Sequence, residues 1–369
     1  MTTKLRVLVV DDTVTYRKIV SDLLSEMPEI EVVGTAANGK IALEKAQQLA
    51  PDLLLLDLEM PEVDGLEVLR RLRASRARIG AIVLSALTAR GAETTMQCLE
   101  QGAFDFVLKP SGGDLGANVE RLRGELRPRL AAYARRCAMQ AVLAGSPLGT
   151  APAVAASSAR ALEPPPRQSL GAAAPAVVAI GVSTGGPKAL TEMLPRLPHD
   201  LPVAVLIVQH MPAVFTRSLA DDLDRRCQVR VREAQDGDAI QRGTVLIAPG
   251  GKQMRADRDG GRPVVRITDD PPENSCRPSV DYLFRSIAAE YGAGGVGVIM
   301  TGMGSDGSAG CRALKARGGW IIAQDEASCV VFGMPRGPIE EGTADAVVPL
   351  GNLAAEIVRQ VRKGRRECK

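Results

Sequence analysis

Short, largely apolar runs recur along this chain at intervals filled by helix-like patterns, and no other feature limits its fold so tightly. Leu5 to Val10, Ile30 to Thr35, Leu53 to Leu56, Ile79 to Leu84 and Phe104 to Leu108 are the runs of the first half. Between them, Thr15 to Glu26, Gly39 to Leu49, Glu67 to Arg73 and Ala92 to Gln101 read as helices. A strand without polar alternation has both faces buried, which requires a parallel sheet covered by helices on either side. The habit returns at Val177 to Ile180, Val203 to Val208, Thr244 to Ala248, Val296 to Met300 and Gly319 to Ala323. The chain therefore predicts an α/β protein of two domains, each a doubly wound, mostly parallel sheet with helices on both faces.

The boundary between them is compositional. From about Ser146 to Ala176 the sequence is rich in Ala, Pro, Ser and Gly and contains Pro164-Pro165-Pro166. It lacks the large apolar residues that offset the entropy of ordering, so it reads as a linker. We assign a first domain to 1–128, a helical then Ala/Pro/Ser-rich connection to 129–175, and a second domain to 176–365. Pro128 is expected to break or kink the helix at the first of these junctions.

The 369 residues carry a net charge of +3, too small to argue for nucleic-acid binding without a concentrated basic surface. Arg135-Arg136 and Arg362-Lys363-Gly364-Arg365-Arg366 read as solvated surface. No run approaches the ~20 apolar residues that cross a bilayer, so no membrane insertion is expected. The N-terminus lacks the regions of a signal peptide. Seven scattered cysteines without a CxxC pair are expected to be reduced thiols of a cytoplasmic protein.

In the first half the polar residues stand at strand ends: Asp11-Asp12 after the first, Asp57 after the third, Ser85 after the fourth, and Lys109 after the fifth, before Pro110. Ligands of open parallel sheets bind beyond the carboxyl ends of the strands. One acid there is ordinarily a cap or loop residue, but five polar residues at five such places describe a pocket. Its clustered carboxylates call for a hard cation with oxygen ligands, Mg²⁺, and Lys109 and Ser85 are placed to contact a phosphoryl group.

This ordered set, with Met60-Pro61-Glu62-Val63-Asp64-Gly65 and the segment Gly102 to Pro110, resembles a two-component receiver domain over residues 4 to 127. The resemblance implies a flavodoxin-like sheet and an Asp57 that accepts a phosphoryl group from a histidine kinase. It also implies Mg²⁺ held by Asp12, Asp57 and the carbonyl of Glu59, with Asp11 assisting. Ser85 and Phe106 then occupy the positions of the family's switch hydroxyl and switch aromatic.

In the second half, Gly181-Val182-Ser183-Thr184-Gly185-Gly186 follows a strand and places a serine on a tight strand-to-helix turn. A serine hydroxyl is a weak nucleophile without a base, and the chain has only two histidines. His199 sits in a polar turn, Leu197-Pro198-His199-Asp200-Leu201-Pro202, whereas His210 falls at a strand's carboxyl end before Met211-Pro212. The glycine loop Thr301 to Gly307 offers Asp306 as the carboxylate that orients an imidazole. The order Ser, His, Asp differs from the Ser, Asp, His of α/β-hydrolases.

Over residues 175 to 362 the chain resembles the catalytic domain of chemotaxis response regulator protein-glutamate methylesterases. The carrying segments are Gly181 to Pro187, Gln209-His210-Met211-Pro212, Ile247-Ala248-Pro249-Gly250, Arg277-Pro278-Ser279-Val280-Asp281, Met300 to Gly307 and Ala323 to Pro335. The resemblance implies a Rossmann-like domain in which Ser183 is the nucleophile, His210 the general base and acid, and Asp306 the orienting group. The backbone N–H of Met303, helped by Thr184, would complete the oxyanion site. It implies demethylation of chemoreceptor glutamates and deamidation of receptor glutamines, under control of a phosphorylated receiver that otherwise packs over the catalytic face. No cofactor is expected in this domain. Cys276 departs from the family's usual histidine.

Two other readings remain open at this level: a methylesterase of a non-chemotactic signalling array, and a phospho-regulated docking module without catalysis. A transcription factor is disfavoured, because strands and glycine loops stand where a helix-turn-helix is needed. Gly292 to Gly297 matches a dinucleotide-binding spacing, but it precedes a strand rather than opening a helix.

Overall fold

The computed structural model describes residues 4–145 and 176–366; the linker expected at 146–175 lies outside the described residues. The first domain runs β1 Leu5–Val10, α1 Val14–Ser25, β2 Ile30–Ala36, α2 Gly39–Leu49, β3 Leu53–Asp57, α3 Gly65–Ala74, β4 Gly80–Ser85, α4 Ala89–Glu100, β5 Asp105–Leu108 and α5 Leu115–Gly145. Its five strands pair in the order β2-β1-β3-β4-β5, all parallel. The order reverses between β1 and β3, so Asp11 and Asp57 flank the switch point where such sheets bind ligands.

The strands form because their residues have nowhere else to go: β3 is buried at every position, and Leu8, Leu54 and Val83 pack on one face while Val7, Leu55 and Ile82 pack on the other. Short polar residues then start the helices. Asn38 caps α2 through a 2.9 Å bond from Ile41 N–H, and Asp64 caps α3 through a 2.8 Å bond from Glu67 N–H.

Helix α5 does not end at Pro128 but passes through it to Gly145. The proline forfeits one backbone bond, yet Leu122, Leu126, Leu130 and Tyr133 keep one apolar stripe against the sheet on either side of it. The Tyr133 hydroxyl donates to the Asp52 carbonyl at 3.0 Å, which fixes this extension to the domain.

The second domain contains β6 Val177–Val182, α6 Gly186–Met193, β7 Ala204–Gln209, α7 Ala213–Arg226, β8 Arg230–Glu233, β9 Thr244–Ile247, β10 Gln253–Asp259, β11 Arg262–Thr268, α8 Val280–Tyr291, β12 Gly295–Ile299, α9 Ser308–Ala316, β13 Trp320–Gln324, α10 Arg336–Glu340, β14 Ala346–Val348 and α11 Leu350–Arg366. Seven strands make a parallel sheet, β14-β13-β12-β6-β7-β9-β8. Strands β10 and β11 form a separate antiparallel hairpin. Here the order reverses between β6 and β12, with Ser183 beyond one and the loop 301–307 beyond the other.

The sequence reading found the five central strands and missed β8, β14 and the hairpin. β8 and β14 are edge strands of four and three residues, and β10 and β11 carry six arginines and aspartates that mask their alternation. Residues Gly292–Gly294 form a 3₁₀ turn leading into β12, as their position before a strand requires.

Gly65 tests how tightly the first pocket is built, because a Cβ there would stand 2.3 Å from the Asp57 carbonyl oxygen. Gly65→Ala is expected to cost about 1–3 kcal/mol, read as a lower thermal midpoint. Gly124→Ala, where an added Cβ meets nothing within 4 Å, should leave it unchanged or raise it.

Candidate active site and acidic pocket

The turn after β6 is closed by two backbone bonds: Ser183 N–H donates to Thr301 O at 3.0 Å, and Gly186 N–H returns to Ser183 O at 2.8 Å. Gly185 supplies the positive φ of +77° at which the chain turns into α6, and the wall of Val330 leaves no room there for a side chain. Gln209, last residue of β7, donates from Nε2 to the Ser183 carbonyl at 3.0 Å, and His210 N–H donates to Val182 O at 3.2 Å. The serine and histidine loops are thereby tied together by the sheet itself.

His210 Nε2 lies 2.8 Å from Asp306 Oδ2. The aspartate is 2 % exposed and saturated with donors: Val280 N–H reaches Oδ2 at 2.7 Å, and Ser279 Oγ, Asn274 Nδ2 and Asp281 N–H reach Oδ1 at 2.9, 3.1 and 3.1 Å. These donors cluster at the N-terminus of α8, where unsatisfied N–H groups and the helix dipole favour an anion. Burial pushes the Asp306 carboxyl upward, but the bonds from His210 and the α8 N–H groups more than reverse this and hold it at about 2. Burial likewise pushes His210 downward, and Asp306 with the neighbouring Cys276 raises it to about 9. The imidazole is therefore charged at neutral pH in this state.

With Nε2 committed to Asp306, Nδ1 is the ring nitrogen left for other chemistry, and Cys276 Sγ stands 3.7 Å from it. Among the described residues no hydrogen bond joins Ser183 Oγ to the imidazole. The two groups instead line one cavity of about 880 Å³, with Thr184, Cys276 and Met303 beside them. The N–H groups of Thr184 and Met303 have no backbone acceptor among the described residues, and Gly304, at φ +84°, bends the Met303 loop around the cavity. His199 is exposed in its turn, away from this cavity.

The other wall of the same cavity comes from the first domain, through Asp105, Phe106, Lys109 and Arg129. Thr184 Oγ1 donates to Asp105 Oδ2 at 2.9 Å, and Arg129 Nε holds the same oxygen at 3.1 Å. Phe106 stacks on Phe215 of α7, with ring centroids 4.6 Å apart. Arg226 of α7 pairs with Glu100 of α4. Sequence reasoning pointed to Phe106 and Thr184 but not to their partners, since nothing local links residues so far apart in the chain.

In the acidic pocket Lys109 Nζ bridges Asp11 Oδ2 at 2.6 Å and Asp57 Oδ2 at 2.7 Å. Tyr16, unmarked in the sequence, lies with its ring centroid 4.8 Å from the same ammonium. Burial pushes the Asp57 carboxyl up to about 6 despite the lysine. The carboxylate oxygens of Asp11, Asp12 and Asp57, within 4.8 Å of one another, are a donor set suited to a hard divalent cation. The Glu59 carbonyl accepts no backbone hydrogen bond among the described residues, so it too is available. Ser85 is fully buried, and its hydroxyl donates to the Ala86 carbonyl at 3.2 Å and accepts from Thr95 at 2.8 Å. Donation to a group on Asp57 requires that hydroxyl to give up its bond to the Ala86 carbonyl, whereas the bond it accepts from Thr95 can remain.

Family models match both halves: the response regulator receiver domain over residues 7–119 and the CheB methylesterase over 178–357. A protein-glutamate methylesterase/protein-glutamine glutaminase of Desulfotalea psychrophila is 49 % identical over 97 % of this chain and 99 % of its own length. The chain belongs to the CheB methylesterase family. A second relative of that description, from a Nocardioides species, is 45 % identical over 98 % of this chain and 96 % of its own. The crystal structure of the Thermotoga maritima CheB methylesterase catalytic domain is similar at 40 % identity, covering 50 % of this chain and 98 % of that one with a TM-score of 0.49. No described helix is long and apolar enough to cross a membrane.

The two titrations carry opposite signs. The depressed Asp306 stabilises the fold above its unfolded value near 4 and loses this as pH falls through about 2. The raised His210 stabilises it below about 6.5 and loses this as pH rises through about 9. With only two imidazoles in the chain, NMR resolves them: His210 should titrate near 9, and in Asp306→Asn it should titrate at lower pH. An unchanged titration in that variant would refute the assigned cause.

Proposed function

We propose that this chain is a phosphorylation-activated serine hydrolase that demethylates glutamate methyl esters on the cytoplasmic helices of chemoreceptors. The observation that carries the reading is the 2.8 Å contact between His210 Nε2 and the ionised Asp306, beside Ser183 in one cavity. Asp306 fixes the tautomer in which Nε2 carries a proton and stabilises the imidazolium that forms. Nδ1 takes the Ser183 proton as Oγ attacks the ester carbonyl. The N–H groups of Met303 and Thr184 receive the oxyanion, each worth ~3 kcal/mol of barrier. The imidazolium returns its proton to the leaving oxygen, methanol departs, and water repeats the sequence on the acyl-enzyme to leave glutamate. Receptor glutamines follow the same path with ammonia leaving, in keeping with the double activity in the relatives' names.

Regulation follows from the shared cavity. The receiver covers the site, and the Thr184–Asp105 bond draws an oxyanion residue toward the inhibitory domain. A chemotaxis histidine kinase phosphorylates Asp57. Asp12, Asp57 and the Glu59 carbonyl would hold Mg²⁺ with Asp11 assisting, and the ion supplies charge neutralisation for the transfer. The added charge recruits Lys109 and Ser85 and disturbs β5, whose Asp105 and Phe106 are the contacts to the catalytic domain.

Ser183→Ala should lower methanol release from methylated receptor membranes at least about 10⁴-fold while Asp57 still accepts a phosphoryl group. His210→Ala should match it, and His199→Ala should behave as the parent. Retained esterase activity in Ser183→Ala, or loss in His199→Ala, overturns the site. An acyl phosphate with Mg²⁺ should raise the parent's rate but not that of Asp57→Asn. Arg226→Ala, which removes a partly exposed pair across the domains worth up to ~1 kcal/mol, should raise the unphosphorylated rate by about two- to fivefold. An unchanged rate would show that the pair does not hold the closed state.

A further inference from the structure

We propose that Cys276 Sγ and His210 Nδ1 form a binding site for a soft divalent cation, Zn²⁺ or Cd²⁺, inside the cavity that Ser183 lines. The two atoms stand 3.7 Å apart. A tetrahedral Zn²⁺ with Zn–N of about 2.05 Å and Zn–S of about 2.3 Å separates its nitrogen and sulfur ligands by about 3.6 Å. The pair thus needs little movement to chelate the ion. The third member of the group, Asp306, contacts the opposite ring nitrogen at 2.8 Å and is itself pinned by the N-terminus of α8. That is the arrangement in which a carboxylate fixes the tautomer of a metal-bound histidine and raises its basicity.

The donors also select the metal. Thiolate and imidazole favour Zn²⁺ and Cd²⁺ over Mg²⁺, whereas Asp11, Asp12 and Asp57 offer oxygen only. Among the described residues no other cysteine belongs to a group of three metal-ligating side chains, and Cys98 and Cys311 are buried. Cys276 is half-buried and faces the cavity, so an ion can reach it. On binding, the S–H bond breaks and a sulfur–metal bond forms, Nδ1 gives its lone pair to the ion, and the displaced protons pass to solvent. Affinity therefore rises with pH. The remaining coordination positions open toward the cavity and its water.

The consequence for activity rests on the function proposed above: a metal on Nδ1 occupies the nitrogen that would take the serine proton, so binding inhibits the enzyme reversibly. The test separates the two claims. Titrating the full chain with Cd²⁺ in excess Mg²⁺, and following ultraviolet thiolate-to-cadmium absorption, should show one tight equivalent. It should be lost in Cys276→Ala and weakened about tenfold or more in His210→Ala, with both variants keeping the parent's circular dichroism. Cys276→Ser provides a second variant should the alanine protein not fold. In parallel, Zn²⁺ should inhibit methanol release by the parent at a concentration at least about tenfold lower than for Cys276→Ala, with recovery on adding a chelator. A tight equivalent that persists without Cys276, or no thiolate absorption in the parent, overturns the site. Absorption as expected with no methanol release from the metal-free parent leaves the site standing and overturns the function.

Discussion

A strand buried on both faces cannot carry a polar side chain until it leaves the sheet, and this constraint organises the whole molecule. β3, β6, β7 and β12 are buried at every position, so their first functional groups come at or just beyond the last strand residue. Because the strands of each large sheet are parallel, those groups collect along one edge. Asp11, Asp57 and Lys109 meet there in one domain, and Ser183, His210 and the Asp306 loop in the other. The chemistry is concentrated there because these four strands exclude it along their length.

Electrostatics then separates the two collections. In the acidic pocket burial pushes the Asp57 carboxyl up to about 6, more than the bonds from Lys109 pull it down. The catalytic pocket does the reverse: Asp306 is given so many donors that burial fails to neutralise it, and it draws His210 into the charged form. One site gathers three carboxylates around a lysine, and the other holds a histidine–aspartate pair. The contacts of Asp105 and Phe106 across the domains join them, since both residues lie on β5, the strand that Lys109 follows.

Much of this was legible in the chain. The alternation of apolar runs and helical patterns gave both sheets, and the residues at strand ends gave Asp57, Lys109, Ser183 and His210. The edge strands β8 and β14 escaped because three or four residues carry no period, and α5 ran past Pro128 because Leu130 and Tyr133 keep its stripe on the core. Asn274, Ser279 and Asp281 went unassigned as partners of Asp306. The one local signal was a serine capping a helix two residues before an acid, and a cap alone does not say which anion it serves.

Sequence by itself determined the fold class, the division into two domains, and which residue types stand at the carboxyl edge of each sheet, because periodicity and burial are local properties of the chain. Tertiary structure alone decided what those residues touch. Asp306 takes Nε2 of His210 and leaves Nδ1 facing Cys276, Ser85 turns to Thr95 rather than Asp57, and Asp105 binds Thr184 in the other domain. Each of these contacts joins side chains brought together by packing rather than by a repeat, and strand order, helix termini and the seating of one domain on the other are not written in any local pattern.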